Sequence, residues 1–166
     1  MATLKGTVKK TKLEDYNNIR TSGLIAIKID EGDELKWIRP TSGDNEVVIS
    51  TSLGQAIRFH ENDVRPMGRT ARGVRGMRLR PNDVVVGMDV VEEESNIFVI
   101  SEKGYGKRTK ISQFSPHKRG GVGIRSAVVN AKTGNLVSVK SLTEETPEVI
   151  IISNNGQTIR LGLKDI

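Results

Sequence analysis

The feature that most restricts the fold of this chain is an internal repeat of about 50 residues. A glycine between two strand-like segments recurs at Gly6, Gly54, Gly104 and Gly156. The fourth residue after each of these glycines is basic: Lys10, Arg58, Arg108 and Arg160. Apolar runs rich in β-branched residues precede the later glycines, at Val47–Ile49, Ile97–Ile100 and Val149–Ile152. A repeat of this kind indicates an array of similar structural units.

Each unit has the pattern of four short strands. Two strands flank the glycine, and Asn155-Gly156 is a hairpin signal because both residues tolerate the positive φ of a primed turn. A second glycine-centred segment follows at Ser22–Ile27, Arg72–Met77 and Gly120–Ile124. Turn residues then precede a last strand, at Glu34–Ile38, Asp83–Met88 and Asn135–Val139. Four strands and almost no helix are typical of one blade of a propeller.

The sequence therefore predicts an all-β fold, a propeller-like array of four-stranded blades. The repeat places blades at about residues 1–45, 46–95 and 96–148, and part of a fourth at 149–166. A β-sandwich with accidental similarity between strands is the alternative, but it does not explain why the glycine and the basic residue recur in register. Because a closed propeller needs at least about four blades, we expect this chain to be a fragment of a longer array.

The charge follows the same period as the repeat. Lys and Arg number 26 against 20 Asp and Glu, a net charge of +6. Two blocks, Val64–Arg80 and Lys103–Arg125, are rich in basic residues and contain no acid, whereas acids gather in Asp30–Glu34, Glu92–Glu94 and Glu144–Glu145. In a radial array, equivalent positions share one rim, so we predict a curved cationic track beside an acidic margin. Such a track would bind and bend duplex DNA through its phosphates without reading bases.

The predicted DNA-binding residues are the basic side chains of these blocks, of Lys9–Lys12 and of the repeat position after the glycine: Lys9, Lys10, Lys12, Arg58, Arg69, Arg72, Arg75, Arg78, Lys107, Arg108, Lys110, Lys118, Arg119, Arg125 and Arg160. Aromatic residues are scarce, which disfavours stacking on single-stranded bases. The alternative is that these lysines and arginines form an ordinary solvated surface.

Several other functions find no support in the sequence. The absence of cysteine excludes disulfides and thiolate metal sites, and the two histidines have no partners at ligand spacing. Neither Tyr16 nor Tyr105 lies in a context typical of a DNA-cleaving nucleophile. Around Gly104-Tyr105-Gly106-Lys107 the phosphate-loop pattern fails because Ser101 occupies the first glycine position. We therefore expect no catalytic site, no cofactor and no metal in a soluble intracellular chain without a membrane span or signal peptide.

Three segments resemble sequences that recur in the carboxy-terminal domain of bacterial gyrase A subunits: Lys5–Thr11, Gly68–Leu79 and Gly104–Thr109. The similarity extends along the whole chain. The resemblance implies a β-pinwheel, a propeller-like disc whose blades exchange strands with their neighbours. It also implies a non-catalytic domain that bends and wraps duplex DNA on a basic rim, in support of negative supercoiling by an ATP-dependent type IIA topoisomerase.

The resemblance further implies partners and a location. The partners would be duplex DNA and, in an A2B2 complex, the gyrase B subunit together with the remainder of the gyrase A subunit. The location would be the cytoplasm, at the nucleoid. ATP and Mg²⁺ would be used by other parts of that enzyme. Two alternatives stay open: the equivalent domain of topoisomerase IV, which serves decatenation, and a protein-binding propeller. The regular copies favour gyrase.

One family motif is altered here. The basic wrapping motif of the family, Gln-Arg-Arg-Gly-Gly-Lys-Gly, lies in its first blade. The nearest stretch in this chain is His117–Gly123, in which His117 replaces the glutamine and Val122 replaces the lysine. It follows a hairpin that resembles those of internal blades. We therefore do not assign it as the wrapping motif.

Overall fold

The computed structural model describes residues 1–166, and the regular structure consists of strands and four short 3-10 helices. The strands are β1 (Ala2–Thr3), β2 (Thr7–Val8), β3 (Leu35–Trp37), β4 (Glu46–Thr51), β5 (Gln55–His60), β6 (Val74–Arg75), β7 (Val85–Val91), β8 (Asn96–Ser101), β9 (Gly106–Lys110), β10 (Ile124–Arg125), β11 (Leu136–Leu142), β12 (Glu148–Ile152) and β13 (Thr158–Gly162). The 3-10 helices are Leu13–Tyr16, Glu61–Asp63, Ile111–Gln113 and Leu163–Asp165. The all-β prediction is confirmed. None of the helices has the length and apolar character that crossing a bilayer requires.

The four repeat glycines close the same tight turn. Each donates its main-chain N–H to the carbonyl three residues earlier, as in Gly54 to Thr51 at 3.0 Å and Gly156 to Ser153 at 2.9 Å. Gly156 has a φ of 78°, whereas the φ of Asn155 is not positive. Asn82 is the only non-glycine residue in the chain with a positive φ. The predicted hairpin is correct, but its primed turn is wrong. The loop has three residues, and this length selects an ordinary turn that ends in a glycine bulge.

The strands form four sheets, and the first two each include one outer strand from the following repeat. The first sheet has the order β3-β1-β2-β6 and the second β10-β5-β4-β7, so that β6 and β10 each join the sheet of the preceding repeat. The third sheet is β11-β8-β9 and the fourth β12-β13. The repeat pattern alone does not distinguish pairing within a unit from pairing between units, and the structure shows both. The exchange is the one implied by the β-pinwheel resemblance. The glycine-centred segment of the first repeat, Ser22–Ile27, forms no strand, unlike its counterparts in the second and third repeats.

The turn glycine anchors each exchanged segment. The carbonyl of Gly6 accepts a hydrogen bond from the N–H of Gly76 at 2.9 Å, and the carbonyl of Gly54 accepts one from Ser126 at 2.8 Å. The exchanged backbone comes so close that a Cβ at Gly54 would lie 2.5 Å from the carbonyl oxygen of Ala127. Only glycine fits at that distance, so the turn residue determines both the hairpin and the docking of the next repeat.

The core lies between successive sheets. One apolar cluster joins the first two sheets and includes Val8, Ile49, Ile57, Phe59 and Met77. A second joins the second and third sheets and includes Val48, Ala56, Ile97, Ile111 and Val139.

The inner and outer edges of the array follow from the contacts that β7 makes with β11 and with Arg39, which follows β3. Asp89 in β7 accepts hydrogen bonds from the Nε of Arg39, at 2.6 Å, and from the N–H of Ser141 in β11, at 3.1 Å. A Cβ at Gly87 in β7 would lie 2.8 Å from the Cβ of Val139 in β11. In a radial array, the closest approach of successive blades is at the centre. Strands β6 and β10, at the opposite ends of their sheets, therefore lie on the outer edge.

Candidate nucleic-acid interface

The exchanged outer strands carry one arginine each at the same position. Arg75 in β6 pairs in register with Thr7, and Arg125 in β10 pairs with Gln55, the residue that follows the turn glycine in the next repeat. Both arginines are exposed. No carboxylate lies within salt-bridge distance of either one. The pinwheel thus places two unpaired guanidinium groups at equivalent points of successive blades.

A basic cleft of about 520 Å³ surrounds the first of these arginines. Its lining includes Lys5, Arg72, Arg75 and Arg78, because the exchanged segment runs beside the first hairpin. The acidic turn Asp30–Glu34 borders the cleft. Arg72 pairs with Asp30, with 2.9 Å from Nε to Oδ1, and the Lys5 ammonium donates to the Glu31 carbonyl at 3.2 Å. Basic and acidic blocks that are separate in the sequence are therefore neighbours in this cleft.

A second cleft, of about 390 Å³, lies where the third repeat reaches the second sheet. Its lining includes Lys107 of β9, Arg125 of β10 and the exposed Tyr105. The Nζ atom of Lys132 lies 5.6 Å from the centre of the Tyr105 ring, within range of a cation–π contact. Lys107 and Arg125 come from separate parts of the basic block and are brought together here by the fold.

The remaining predicted cations differ in whether their side chains are bound to other parts of the chain. Lys12, Lys110 and Lys118 are exposed and Arg69 is partly exposed, and none of them forms an ion pair. Arg119 is different, because it joins the exchanged segment of the third repeat to two parts of the second repeat. Its Nε donates to the Asp63 carbonyl at 2.8 Å and its Nη1 to the Arg75 carbonyl at 2.9 Å.

Three of the four recurring basic residues after the turn glycine lie between blades rather than on the track. The Arg58 side chain is only 11% exposed, and it binds Glu46 together with the carbonyls of Ile111 and Phe114. Arg108 donates to the carbonyl of Leu163 at 2.7 Å, and Lys10 pairs with Glu61 at 2.9 Å. Arg160 is 71% exposed and pairs with Glu148. Lys10, Arg58 and Arg108 therefore stay outside the interface that we propose below.

Lys9 is also unsuited to phosphate contact, since it is only 2% exposed. Its ammonium donates to the carbonyls of Ala26 and Arg69. Burial lowers the pKa of Lys9, with Asp15 opposing this shift and Arg69 adding to it. Lys9 occupies the repeat position of the buried Ile57, three residues after the turn glycine. That alignment is the signal in the sequence that could have identified it as an inward-facing residue.

The predicted set of DNA-binding residues left out three further exposed cations. Lys5 lines the first cleft, and Arg65 and Arg80 are exposed at the ends of the acid-free block. Both arginines were visible in the block itself, whereas the position of Lys5 depends on the exchanged segment. No group of three or more His, Cys, Asp or Glu side chains is arranged to hold a metal ion.

Comparisons with known proteins support the resemblance. The family model described as "DNA gyrase C-terminal domain, beta-propeller" matches residues 1–42, 45–92, 95–143 and 147–166. The chain is 45% identical over 163 residues to the DNA gyrase A subunit of Aminobacterium colombiense, covering 98% of this chain and 20% of that protein. It is 42% identical over 167 residues to the DNA gyrase A subunit of Staphylococcus epidermidis, covering 99% of this chain and 19% of that protein. The chain thus spans about a fifth of the length of these relatives.

Solved structures agree with this assignment. The DNA gyrase A C-terminal domain matches with a TM-score of 0.86 at 28% identity, over 99% of this chain and 55% of that one. The C-terminal domain of DNA topoisomerase IV matches with a TM-score of 0.91 at 26% identity, over 99% of this chain and 52% of that one. The resemblance and the β-pinwheel fold are confirmed. This chain belongs to the family of DNA gyrase C-terminal β-propeller domains.

Proposed function

We propose that this chain is a non-catalytic domain that binds duplex DNA along its outer edge and bends it, in support of negative supercoiling by a gyrase-type topoisomerase. The observation that carries the proposal is the equivalent placement of Arg75 and Arg125, both exposed and unpaired, on the exchanged strands of successive sheets. The sequence relatives are DNA gyrase A subunits, which supports the same function. Cleavage, ATP hydrolysis and Mg²⁺ binding would belong to the B subunit or to other parts of the A subunit in an A2B2 complex.

Phosphate contact explains the chemistry of this edge. A cation without a carboxylate partner can neutralise a phosphate without first breaking an ion pair, and the released counterions favour binding. Bending a site of 20–30 base pairs costs on the order of 1–6 kcal/mol, so cations from several blades must act together. The proposed contacts are the exposed or partly exposed cations of the outer edge and adjoining loops: Lys5, Lys12, Arg65, Arg69, Arg72, Arg75, Arg78, Arg80, Lys107, Lys110, Lys118 and Arg125.

Charge reversal at the two outer strands tests the proposal. In Arg75→Glu/Arg125→Glu we expect the slope of log K against log salt for duplex DNA to decrease in magnitude by about 1.8, since each phosphate contact contributes roughly 0.9. The matched control is Lys36→Glu/Lys140→Glu, which makes the same change in net charge at exposed positions on the inner strands β3 and β11. Equal loss of binding in both variants, or wild-type binding that ignores salt, would refute an outer-edge interface.

The topoisomerase IV domain is the second candidate, because its solved structure matches this fold with a TM-score of 0.91. Plasmid relaxed in the presence of the chain separates the two functions. Wrapping that supports supercoiling changes the linking number of the religated plasmid, whereas a domain that only holds DNA leaves it near the relaxed value. The Arg75→Glu/Arg125→Glu variant serves as the control for an effect that depends on the outer edge.

A further inference from the structure

One basic side chain in each of the first three repeats reaches the 3-10 helix of the next repeat. Arg58 donates from Nη1 to the carbonyl of Ile111 at 3.1 Å, and Arg108 donates from Nη1 to the carbonyl of Leu163 at 2.7 Å. Ile111 and Leu163 are the first residues of their 3-10 helices. Lys10 makes the corresponding contact with Glu61, which begins the 3-10 helix of the second repeat. We call Lys10, Arg58 and Arg108 the interblade cations.

The chemistry of each interblade cation matches its acceptor. Where the 3-10 helix begins with an apolar residue, the cation is an arginine that donates to the main-chain carbonyl of that residue. Where it begins with Glu61, the cation is a lysine that pairs with the carboxylate, and the same ammonium donates to Asn62 at 2.8 Å. This correspondence within one chain shows that the contact, rather than the charge alone, recurs with the repeat.

Arg58 makes the most extensive of these contacts. Its Nη1 also donates to the carbonyl of Phe114 at 3.2 Å, and its Nε donates to Glu46 of its own hairpin at 2.5 Å. The carbonyl of Arg58 accepts the N–H of His117 at 2.8 Å. A planar guanidinium held by its own blade on one side and by two carbonyls of the next blade on the other restricts the rotation between them.

We infer that the interblade cations are positioning residues that set the angle between successive blades, and through it the curvature of the outer edge along which DNA would bend. This inference rests on the proposed DNA-binding function. It assigns the recurring cations a role in the shape of the path rather than in phosphate contact. It also predicts that their loss impairs bending of a long duplex more than binding of a short one.

Arg160 provides a matched control. It occupies the same repeat position, but it pairs only with Glu148 of its own hairpin and is 71% exposed. We compare Arg58→Met with Arg160→Met, which remove the same charge and keep a similar side-chain length. Arg108→Met is the second test variant, because Arg108 makes a single interblade bond and its loss should leave the fold intact if Arg58→Met does not fold.

The experiment measures affinity and bending separately. Binding to a short duplex of about one helical turn (~10 base pairs) reports local phosphate contact. Energy transfer between the two ends of a long duplex, of about 30 base pairs, reports bending. For Arg58→Met we expect an unchanged salt slope on the short duplex, since no phosphate contact, worth roughly 0.9 in slope, is removed. On the long duplex we expect the variant to lose about half of the energy-transfer change that the wild type produces. Arg108→Met should show the same effect to a smaller extent. Arg160→Met should bend the long duplex as the wild type does.

The outcomes separate the inference from the function on which it rests. If the salt slope decreases by about 0.9 in Arg58→Met, the residue contacts phosphate and the inference is wrong. If Arg58→Met and Arg108→Met bend the long duplex as fully as Arg160→Met, the inference is also wrong while DNA binding stands. If the wild-type chain neither binds nor bends DNA, the proposed function itself fails.

Discussion

The second and fourth sheets contain the same hairpin in different surroundings. Strand β5 of the second sheet is almost entirely buried, whereas β13 of the fourth is largely exposed. Ile57 and Ile159 occupy the same repeat position, yet they are 1% and 51% exposed. Arg58 and Arg160 differ likewise, with side chains 11% and 71% exposed.

The difference shows that a hairpin of this array does not contain its own core. Strand β5 is covered because β10 of the next repeat pairs with it and the first and third repeats pack on its two faces. Stability in such an array is a sum of nearest-neighbour interfaces rather than a property of each unit. Identical substitutions at equivalent positions should therefore have unequal effects, and the following predictions use this inequality.

The largest effect is expected from Ile57→Ala. Ile57 lies in the core between the first two sheets, so its truncation should lower the free energy of unfolding by about 4 kcal/mol. Ile159→Ala, at the exposed equivalent position, should change it by less than about 0.5 kcal/mol. Urea unfolding followed by far-ultraviolet circular dichroism, which reports the strands of all four sheets, measures both. Similar losses in the two variants would contradict a core shared between blades.

The pH dependence of Glu61 should give the next largest effect. Burial alone would raise the pKa of this carboxyl, but hydrogen bonds from Asn45, Lys10, Thr41 and Gly43 outweigh it and lower the pKa from 4.5 to about 2. Because the pKa is lower in the folded chain, the stabilisation is complete above about pH 4.5 and is lost as the pH falls towards 2. A shift of this size corresponds to roughly 3 kcal/mol.

Glu61→Gln measures that contribution directly. We expect the variant to be less stable than the wild type at pH 6 and the difference to shrink between pH 4.5 and 2, the range given by the two pKa values. Asp44→Asn is the control, since Asp44 is 95% exposed. A difference between Glu61→Gln and the wild type that does not vary with pH would show that the carboxylate charge is not what stabilises the contact.

The sequence predicted the hairpins and their order because turn glycines and β-branched runs are local signals. It did not predict by itself that β6 and β10 join the preceding sheet, since a repeat has the same period whether strands pair within a unit or between units. The resemblance to the gyrase A family supplied that feature. The primed turn at Asn155-Gly156 was wrong because the dipeptide also suits a longer loop with only one positive φ.

The sequence predicted only part of the candidate site, again because a repeat period does not show which parts of neighbouring units touch. Periodicity shows that Arg58 and Arg108 are equivalent, but it does not show whether equivalent side chains face solvent or the next blade. That direction depends on the neighbouring 3-10 helix, which the repeat alone does not place. Arg75 and Arg125 were identified from the acid-free blocks and are exposed, because the exchanged strands that carry them lie at the outer ends of their sheets.

A smaller inequality is expected at the turn glycines. Gly54 and Gly156 have nearly equal φ values of 77° and 78°, so the left-handed conformation costs alanine about 1–2 kcal/mol at either position. At Gly54 the added Cβ also meets the carbonyl oxygen of Ala127 at 2.5 Å, whereas at Gly156 nothing lies within 4 Å. Gly54→Ala should therefore be less stable than Gly156→Ala by about 2 kcal/mol in urea unfolding. Equal stabilities of the two variants would mean that the exchanged segment moves away from the added Cβ without loss of free energy.

The smallest effect concerns the acidic turn beside the first cleft. Asp30 pairs with Arg72 there, whereas Arg125 at the second sheet has no acidic partner. Asp30→Asn frees Arg72 for phosphate, and because an exposed pair contributes about 0–1 kcal/mol, duplex affinity should rise by up to about fivefold at low salt. Stability should stay within about 0.5 kcal/mol of the wild type. The gain should fade as salt screens the charges.

Asp44→Asn removes an equal charge from a turn whose carboxylate pairs with His60 instead of an outer-edge cation, and it separates this local effect from a change in net charge. If both variants increase affinity equally, the acidic turn acts only through total charge. If only Asp30→Asn does, the first cleft binds DNA less tightly than its four cations would allow because Asp30 competes with phosphate for Arg72. The second cleft has no such competitor at Arg125, so the two blades would differ in DNA affinity even though their outer strands are equivalent.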